Sequence, residues 1–251
     1  MLEENPKAVV QSRAESILSA VSLFSGTGGM DIGVIQAGFD VLACVEIDPH
    51  CCETLRAAVI REQRRTRIIE DDIRTIEPVN LMHDLCMEPG DLDLLCGGPP
   101  CQAFSQIGKR QCLEDDRGML LFEMTRFAEV FRPKVILIEQ VKGLLNAPDR
   151  SGKIGGVFEL LLERLQALDY VPKWRLSSPQ TMECRKYARE FLLLALSNPT
   201  SLSFLQPRIA PVNKHFPYFP CCLTLQWVRL LRDWVNQNIR AVSNQTIATL
   251  M

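Results

Sequence analysis

The 251-residue chain has little of what several function classes require. It holds only three histidines, His50, His83 and His215, and none of its ten cysteines forms a Cys-x-x-Cys pair. A zinc site needs clustered ligands, so no metal is expected. No apolar run reaches the roughly 18 residues of a membrane span, and no membrane partner is expected. The start, Met1 to Ser16, is polar and acidic, unlike a secretory signal. Without an export signal, reduced cytosolic thiols are the default, which places the chain in the cytoplasm. A formal charge of −2 supplies no global basic footprint for nucleic acid, and the run Arg61 to Arg67 reads as a solvated helix face. There is no internal repeat and no low-complexity stretch.

What is present alternates strand and helix signals over roughly the first 200 residues, the rhythm of an α/β, doubly wound, mostly parallel sheet. Strands are expected at Ser19–Phe24, Val41–Ile47, Arg67–Glu70, Leu92–Cys96, Val135–Glu139 and Phe191–Leu196. Helices are expected at Met30–Ala37, from about His50 to Arg64, at Met119–Phe131, and as an amphipathic segment at Phe158–Leu168. Residues 102–117 read as a long polar loop. The chain divides into a polar extension over 1–18, a cofactor-binding and catalytic domain over 19–197, and a short C-terminal segment over 198–251. That last segment is proline-rich to Pro220, with one amphipathic helix at Leu223–Asn238, and is too small for a substantial core of its own.

The segment Asp93-Leu-Leu-Cys-Gly-Gly-Pro-Pro-Cys-Gln-Ala-Phe-Ser-Gln106 is the most informative. An apolar strand stops at two glycines, which permit close approach, and two prolines, which fix φ and remove donors. Cys101 follows at the carboxyl end of a strand, where open α/β sheets place their ligands. Two readings stand for it: a positioned nucleophile, or a buried cysteine beside a tight turn. Glu139 lies at the end of another strand and so reaches the same rim; it is either an acid that protonates a ring nitrogen or a capping carboxylate. The turn Phe24-Ser25-Gly26-Thr27-Gly28-Gly29 joins the first strand to its helix, where backbone N–H groups can face a ligand. About 20 residues on, Glu46-Ile47-Asp48 ends the next strand, the place of an acid that accepts ribose hydroxyls. Asp71-Asp72-Ile73 ends the third strand and suits an adenine amino group, with Ile47 and Ile73 packing the ring faces. The turn lacks the Gly-Lys-Ser/Thr ending of a triphosphate loop, which points to a nucleoside cofactor.

These motifs, in this order over about residues 19–145, resemble those of the DNA (cytosine-5) methyltransferase family. The Phe24-to-Gly29 turn with Met30, then Glu46-Ile47-Asp48 and Asp71-Asp72-Ile73, are similar to its S-adenosyl-L-methionine site. Gly98-Pro99-Pro100-Cys101-Gln102 with Phe104-Ser105 resembles its catalytic loop, and Asp116-Arg117-Gly118 followed by Leu120 a motif supporting the cofactor pocket. The resemblance implies that Cys101 adds to carbon 6 of a cytosine flipped out of duplex DNA while Glu139 holds ring nitrogen 3 and the exocyclic amine. Carbon 5 then takes the methyl group. Gln102, Ser105 and Lys109 are expected to close over the DNA.

Three departures are visible. Gln140 stands where the family has asparagine, one methylene longer, and is expected to shift the Glu139 backbone. Ahead of the strand Phe191–Leu196 the family has Gln-x-Arg-x-Arg; here Arg189, or Arg185, is the candidate for steadying the cytosine. The sequence-reading domain is largely missing from 198–251, although Phe204, Phe216, Tyr218, Phe219, Trp227 and Trp234 could stack bases. Three functions therefore remain open: a DNA enzyme, a silent or split homologue served by a separate recognition subunit, and an RNA methyltransferase.

Overall fold

The computed structural model describes residues 18–100, 120–176 and 190–197, which form one seven-stranded sheet. Its strands are β1 (Leu18–Leu23), β2 (Phe39–Glu46), β3 (Arg67–Glu70), β4 (Leu94–Gly97), β5 (Val135–Val141), β6 (Val171–Leu176) and β7 (Glu190–Leu196). They lie in the order β3-β2-β1-β4-β5-β7-β6. Every neighbouring pair is parallel except those of β7, which runs antiparallel to β5 and to β6. The helices are α1 (Gly29–Gln36), α2 (Pro49–Arg61), α3 (Pro78–Asp84), α4 (Glu123–Phe131) and α5 (Gly156–Ala167), with 3-10 turns at Leu120–Phe122 and Lys142–Asn146.

The central strands form because they are short apolar runs that a sheet covered on both faces can bury; all four residues of β4 are buried. One core layer joins the sheet to α3, α4 and α5 through Leu81, Met82, Phe127, Phe131, Leu161 and Leu165. The opposite layer seats Val34, Ala37 and Leu55 of α1 and α2 on Ala20, Val41 and Cys44. On α4 the buried Met124, Phe127, Ala128 and Phe131 recur at helical spacing, which fixes the face it presents. Helix α2 starts where Asp48 accepts hydrogen bonds from the His50 and Cys51 backbone N–H groups at 2.8 and 3.0 Å, with Pro49 at its first position. The Cys51 bond, more than any other contact, lowers the Asp48 pKa.

The doubly wound expectation holds, and the differences have physical causes. Helix α3 and strand β6 carry no clear period. Strand β6 contains Pro172 and Lys173, which suit a sheet edge rather than its centre. Strand β5 runs two residues beyond the expected Glu139 because β7 continues to pair with it through Val141. Strand β4 starts later than Leu92 because Asp93 is taken up in a clamp. Its carboxylate accepts the Ser19 N–H at 2.7 Å, the Ser19 hydroxyl at 3.2 Å and the Lys134 ammonium at 2.6 Å.

That clamp joins β1, β4 and β5 at their amino ends, and Asp93 is 7% exposed. Removing a buried, hydrogen-bonded charge strands its partners, at a cost of about 2–4 kcal/mol. Asp93→Ala is therefore expected to lower unfolding stability by about 2–4 kcal/mol in a urea titration. A loss below about 0.5 kcal/mol would show that the three strands need no such tie.

Candidate active site

The parallel register brings Val45, Leu23, Gly97 and Ile138 to one level across four strands. The winding reverses direction between β1 and β4, and the crevice of an open α/β sheet lies outside that point. A cleft of about 400 Å³ opens there. Phe24, Glu46, Ile47, Asp72, Ile73, Pro100 and Leu120 line it together with Val45, Asp71 and Arg74. The structure thus assembles, from five separate strand ends and turns, seven of the residues singled out in the sequence. Ile47 is 61% exposed, an apolar side chain presented to whatever enters.

The other turn residues sit behind this wall. Gly26 donates its N–H to Glu46 Oε2 at 2.7 Å, while the Ile47 and Asp48 N–H groups donate to Oε1, both at 2.9 Å. Glu46 thereby ties the glycine turn to the end of β2. Ser25 is buried, its hydroxyl 3.0 Å from the Ser22 hydroxyl. Gly28 has φ of 89°, a conformation that disfavours any side chain, and a β-carbon there would stand 2.9 Å from the tip of Leu55, which would have to move aside. Gly29 opens α1, and Met30 packs against the core layer on the α1 side. Phe24 holds φ of 55°, a left-handed conformation costly for a non-glycine residue. Asp72 does not face the cleft unengaged: Arg74 donates to it through Nε at 3.0 Å and Nη2 at 2.5 Å, and this bond lowers the Asp72 pKa.

Glu139 is mounted from both sides. It lies one residue past the β4–β5 pairing, yet β7 still holds it opposite Leu192. A β-carbon on Gly98 would come within 3.1 Å of Glu139 Oε2, so glycine lets the carboxylate stand against the loop. Gln140 is 1% exposed and its amide donates to the Pro99 carbonyl at 2.9 Å, while its oxygen accepts the Val141 N–H at 2.9 Å. The β5–β7 register runs through Glu139 and Gln140 without a shift. Cys101, Arg185, Arg189, the loop 102–117 and the segment 198–251 lie outside the described residues. Among the described cysteines, burial pushes the Cys44 and Cys96 thiols far up, out of nucleophilic use.

Sequence reading overlooked two residues. Arg126 on α4 donates to the carbonyls of Ile73 and Ile76 at 2.7 and 2.9 Å and pairs with Glu123 at 2.6 Å, fixing the loop that carries Ile73. Only the Glu123–Arg126 helical spacing hinted at it. Asp31, on the first turn of α1, is 3% exposed, and neither carboxylate oxygen has a hydrogen-bond partner among the described residues. Burial raises its pKa to about 6.

The family model described as C-5 cytosine-specific DNA methylase matches residues 18–185. The type II methyltransferase M.AquIA of Picosynechococcus sp. is 45% identical over 126 residues, covering 50% of this chain and 49% of that protein. M1.HphI of Haemophilus parahaemolyticus, also a type II methyltransferase, is 29% identical over 208 residues, covering 80% and 53%. The chain thus spans about half the length of these two relatives. Among solved structures, the S. pombe Dnmt2 methyltransferase superposes with a TM-score of 0.53 at 21% identity over 72% of this chain and 50% of that one, a likeness of fold.

Asp31 sets a pH dependence of stability. Its folded pKa, about 6, lies above its ordinary 3.8. The stability carried by the neutral form is complete below about pH 4 and is lost as pH rises through about 6. Asp31→Asn, neutral at every pH, is expected to be more stable than the native chain at pH 7–8 by up to about 3 kcal/mol. The gain should vanish near pH 4. Urea midpoints at pH 4, 6 and 8 check this, and a gain independent of pH would show that the charge is not its source.

Proposed function

Since the chain belongs to the C-5 cytosine-specific DNA methylase family, we propose that it transfers a methyl group from S-adenosylmethionine to carbon 5 of a cytosine flipped from duplex DNA. One observation carries the proposal. Glu139 stands against Gly98 at the root of the Pro99-Pro100 strut, and Pro100 is also a wall of the cleft that Glu46, Ile47 and Ile73 line. A site for a pyrimidine and a site for a nucleoside therefore share one wall.

The cleft fits the cofactor's chemistry. Ile47 and Ile73 offer apolar faces to a purine, Asp72 an acceptor for its amino group, and Glu46 a carboxylate for ribose hydroxyls. When bound, S-adenosylmethionine supplies an electrophilic methyl group. In this proposal Cys101, carried directly after the strut, adds as thiolate to carbon 6 of the cytosine. Glu139 hydrogen-bonds ring nitrogen 3 and delivers a proton there, so carbon 5 becomes nucleophilic. A solvent base then takes the carbon 5 proton as the thiolate departs, and the proton at ring nitrogen 3 returns to Glu139, which restores the ring. Gln140 acts through Pro99, holding the strut while Cys101 reacts. Arg189 is assigned to steadying the cytosine. Phe24, Ser25, Gly26, Gly28, Gly29 and Met30 shape the wall of the cofactor site, and Leu120 closes it from the side of the loop.

Sequence recognition is assigned elsewhere. Among the described residues every element belongs to the catalytic sheet and its helices, and none forms a separate DNA-reading unit. We therefore assign that task to a further segment or a separate recognition subunit. No helix among the described residues is long and apolar enough to cross a membrane, and no cluster of metal-ligating side chains is found among them.

Incubation with tritiated S-adenosylmethionine and duplex DNA is expected to label DNA with the native chain, supplemented if necessary with a recognition subunit. Cys101→Ala should lose at least about a thousand-fold in rate, as expected for removal of a covalent nucleophile. A duplex containing 5-fluorocytosine should trap a covalent adduct, because no proton can leave carbon 5. Label entering tRNA but not DNA would support the RNA reading, and cofactor binding without transfer to either would support a silent homologue. Glu46→Ala should weaken cofactor binding about ten-fold or more by calorimetry while leaving the fold intact.

A further inference from the structure

Resting on the S-adenosylmethionine reading, we infer that Asp31 is a specificity-determining residue: its buried, unpaired carboxylate makes the cofactor site prefer a cationic sulfonium ligand over the neutral thioether product.

The position comes first. Asp31 Oδ2 lies 3.7 Å from where a Gly28 β-carbon would stand, so the carboxylate sits directly beneath the glycine turn. The same turn is tied to the cleft by the Gly26–Glu46 bond. The ligand's methionine portion would lie on the other side of this thin wall, which carries no side chain at Gly26 or Gly28.

The surroundings leave the charge uncompensated. Ser22 of β1 and Cys44 of β2 face it with a hydroxyl and a thiol, Cys96 of β4 with a second thiol, and Glu46 adds a like charge from the end of β2. Of the arginines on α2 and just beyond it, Arg56 pairs with Glu70 at 2.8 Å, and Arg61 and Arg64 both bond Glu62, at 3.1 and 2.8 Å. Neither Asp31 oxygen has a partner in full hydrogen-bonding geometry among the described residues, and the nearby Ser22 hydroxyl, Cys44 thiol and Asp31 N–H offset the burial only in part. A carboxylate buried in this way costs stability unless something with a positive charge approaches, and no described residue forms an ion pair with it. A cleft of about 460 Å³ between α1 and α2 reaches Asp31 from the outer side, giving its proton a way to exchange.

The chemistry supplies the approaching charge. S-adenosylmethionine carries sulfonium, ammonium and carboxylate groups, a net charge of one. When the methyl group leaves, the sulfur–methyl bond breaks, its electron pair remains on sulfur, and the product is net neutral. Asp31 therefore attracts the donor and loses its hold when transfer is complete, which favours exchange of product for fresh donor. For charges about 10 Å apart at an effective dielectric near 20, the preference amounts to about ten-fold.

Calorimetric titration of the full chain with S-adenosylmethionine and with S-adenosylhomocysteine, between pH 5 and pH 7, tests this. In the native chain the preference for the sulfonium should grow about five-fold over that interval as Asp31 ionises. In Asp31→Asn it should be smaller and flat, with the homocysteine affinity retained as evidence of an intact site. A second measurement needs no variant: near pH 6, in buffers of different ionisation enthalpy, the sulfonium ligand should release a fraction of a proton and the thioether none. Parallel pH profiles for the two ligands, or an unchanged slope in Asp31→Asn, overturn the inference while leaving the methyl-donor reading standing. Failure of both ligands to bind the native chain at any pH overturns that reading, and the inference with it.

Discussion

The rim of the sheet depends on a single close approach at Gly97. A β-carbon there would stand 2.6 Å from the Leu23 carbonyl and 2.8 Å from the Met124 sulfur, both closer than atoms can pack. Only glycine lets β4 end level with β1 and with β5, where Gly97 pairs with Leu23 and with Ile138. The next glycine then leaves room for the Glu139 carboxylate, and the two prolines carry the chain outward with little freedom. Geometry at the Gly98-Pro99-Pro100 segment is therefore set by the strand beneath it. The loop contributes stiffness, and the sheet contributes position.

The antiparallel strand β7 has a consequence for that position. In an all-parallel sheet, β5 would lose its partners at Ile138, where β4 ends. Glu139 would then lie in a loop. Because β7 runs the other way and continues pairing to Val141, Glu139 keeps a rigid backbone on one side while its other side faces the Pro99 segment. Gln140 uses the same arrangement: its backbone lies in the ladder and its amide reaches Pro99. A side chain with the proposed task of delivering a proton to one ring atom gains from such mounting, since small misplacements at a reacting centre are costly.

Legibility in the sequence followed the range of the interactions. Strands β1, β2, β4 and β5 were readable because buried parallel strands are apolar runs punctuated by glycine, proline or acid. The cleft was readable because its residues lie at strand ends, and open sheets gather those ends on one edge. Edge strand β6 was not, because its polar and proline residues reflect exposure rather than burial. Nor were the ties across the fold: Gln140 to Pro99 spans 41 positions, and Arg126 reaches Ile76 and Ile73 across 50 and 53. No local pattern encodes such pairs. Asp31 was hidden for a related reason, since a polar residue on the first turn of a helix is ordinarily a solvated, dipole-matched carboxylate.

The two ends of the sheet are built on opposite terms. At the amino ends, Asp93 is buried with its carboxylate accepting from the Ser19 N–H, the Ser19 hydroxyl and the Lys134 ammonium. At the carboxyl ends, unfavourable features collect within a few residues: Phe24 in a left-handed conformation, a turn that must be glycine at Gly28, and Asp31 buried with neither oxygen satisfied. Each costs stability where a substitution such as Asp31→Asn would relieve it. Strain and unmatched polarity of this kind, placed under a ligand-sized cleft, are what a site needs if its charge must be completed by what binds there. The same sheet that tolerates the cost at one edge does so because the clamp at the other edge holds its strands in register.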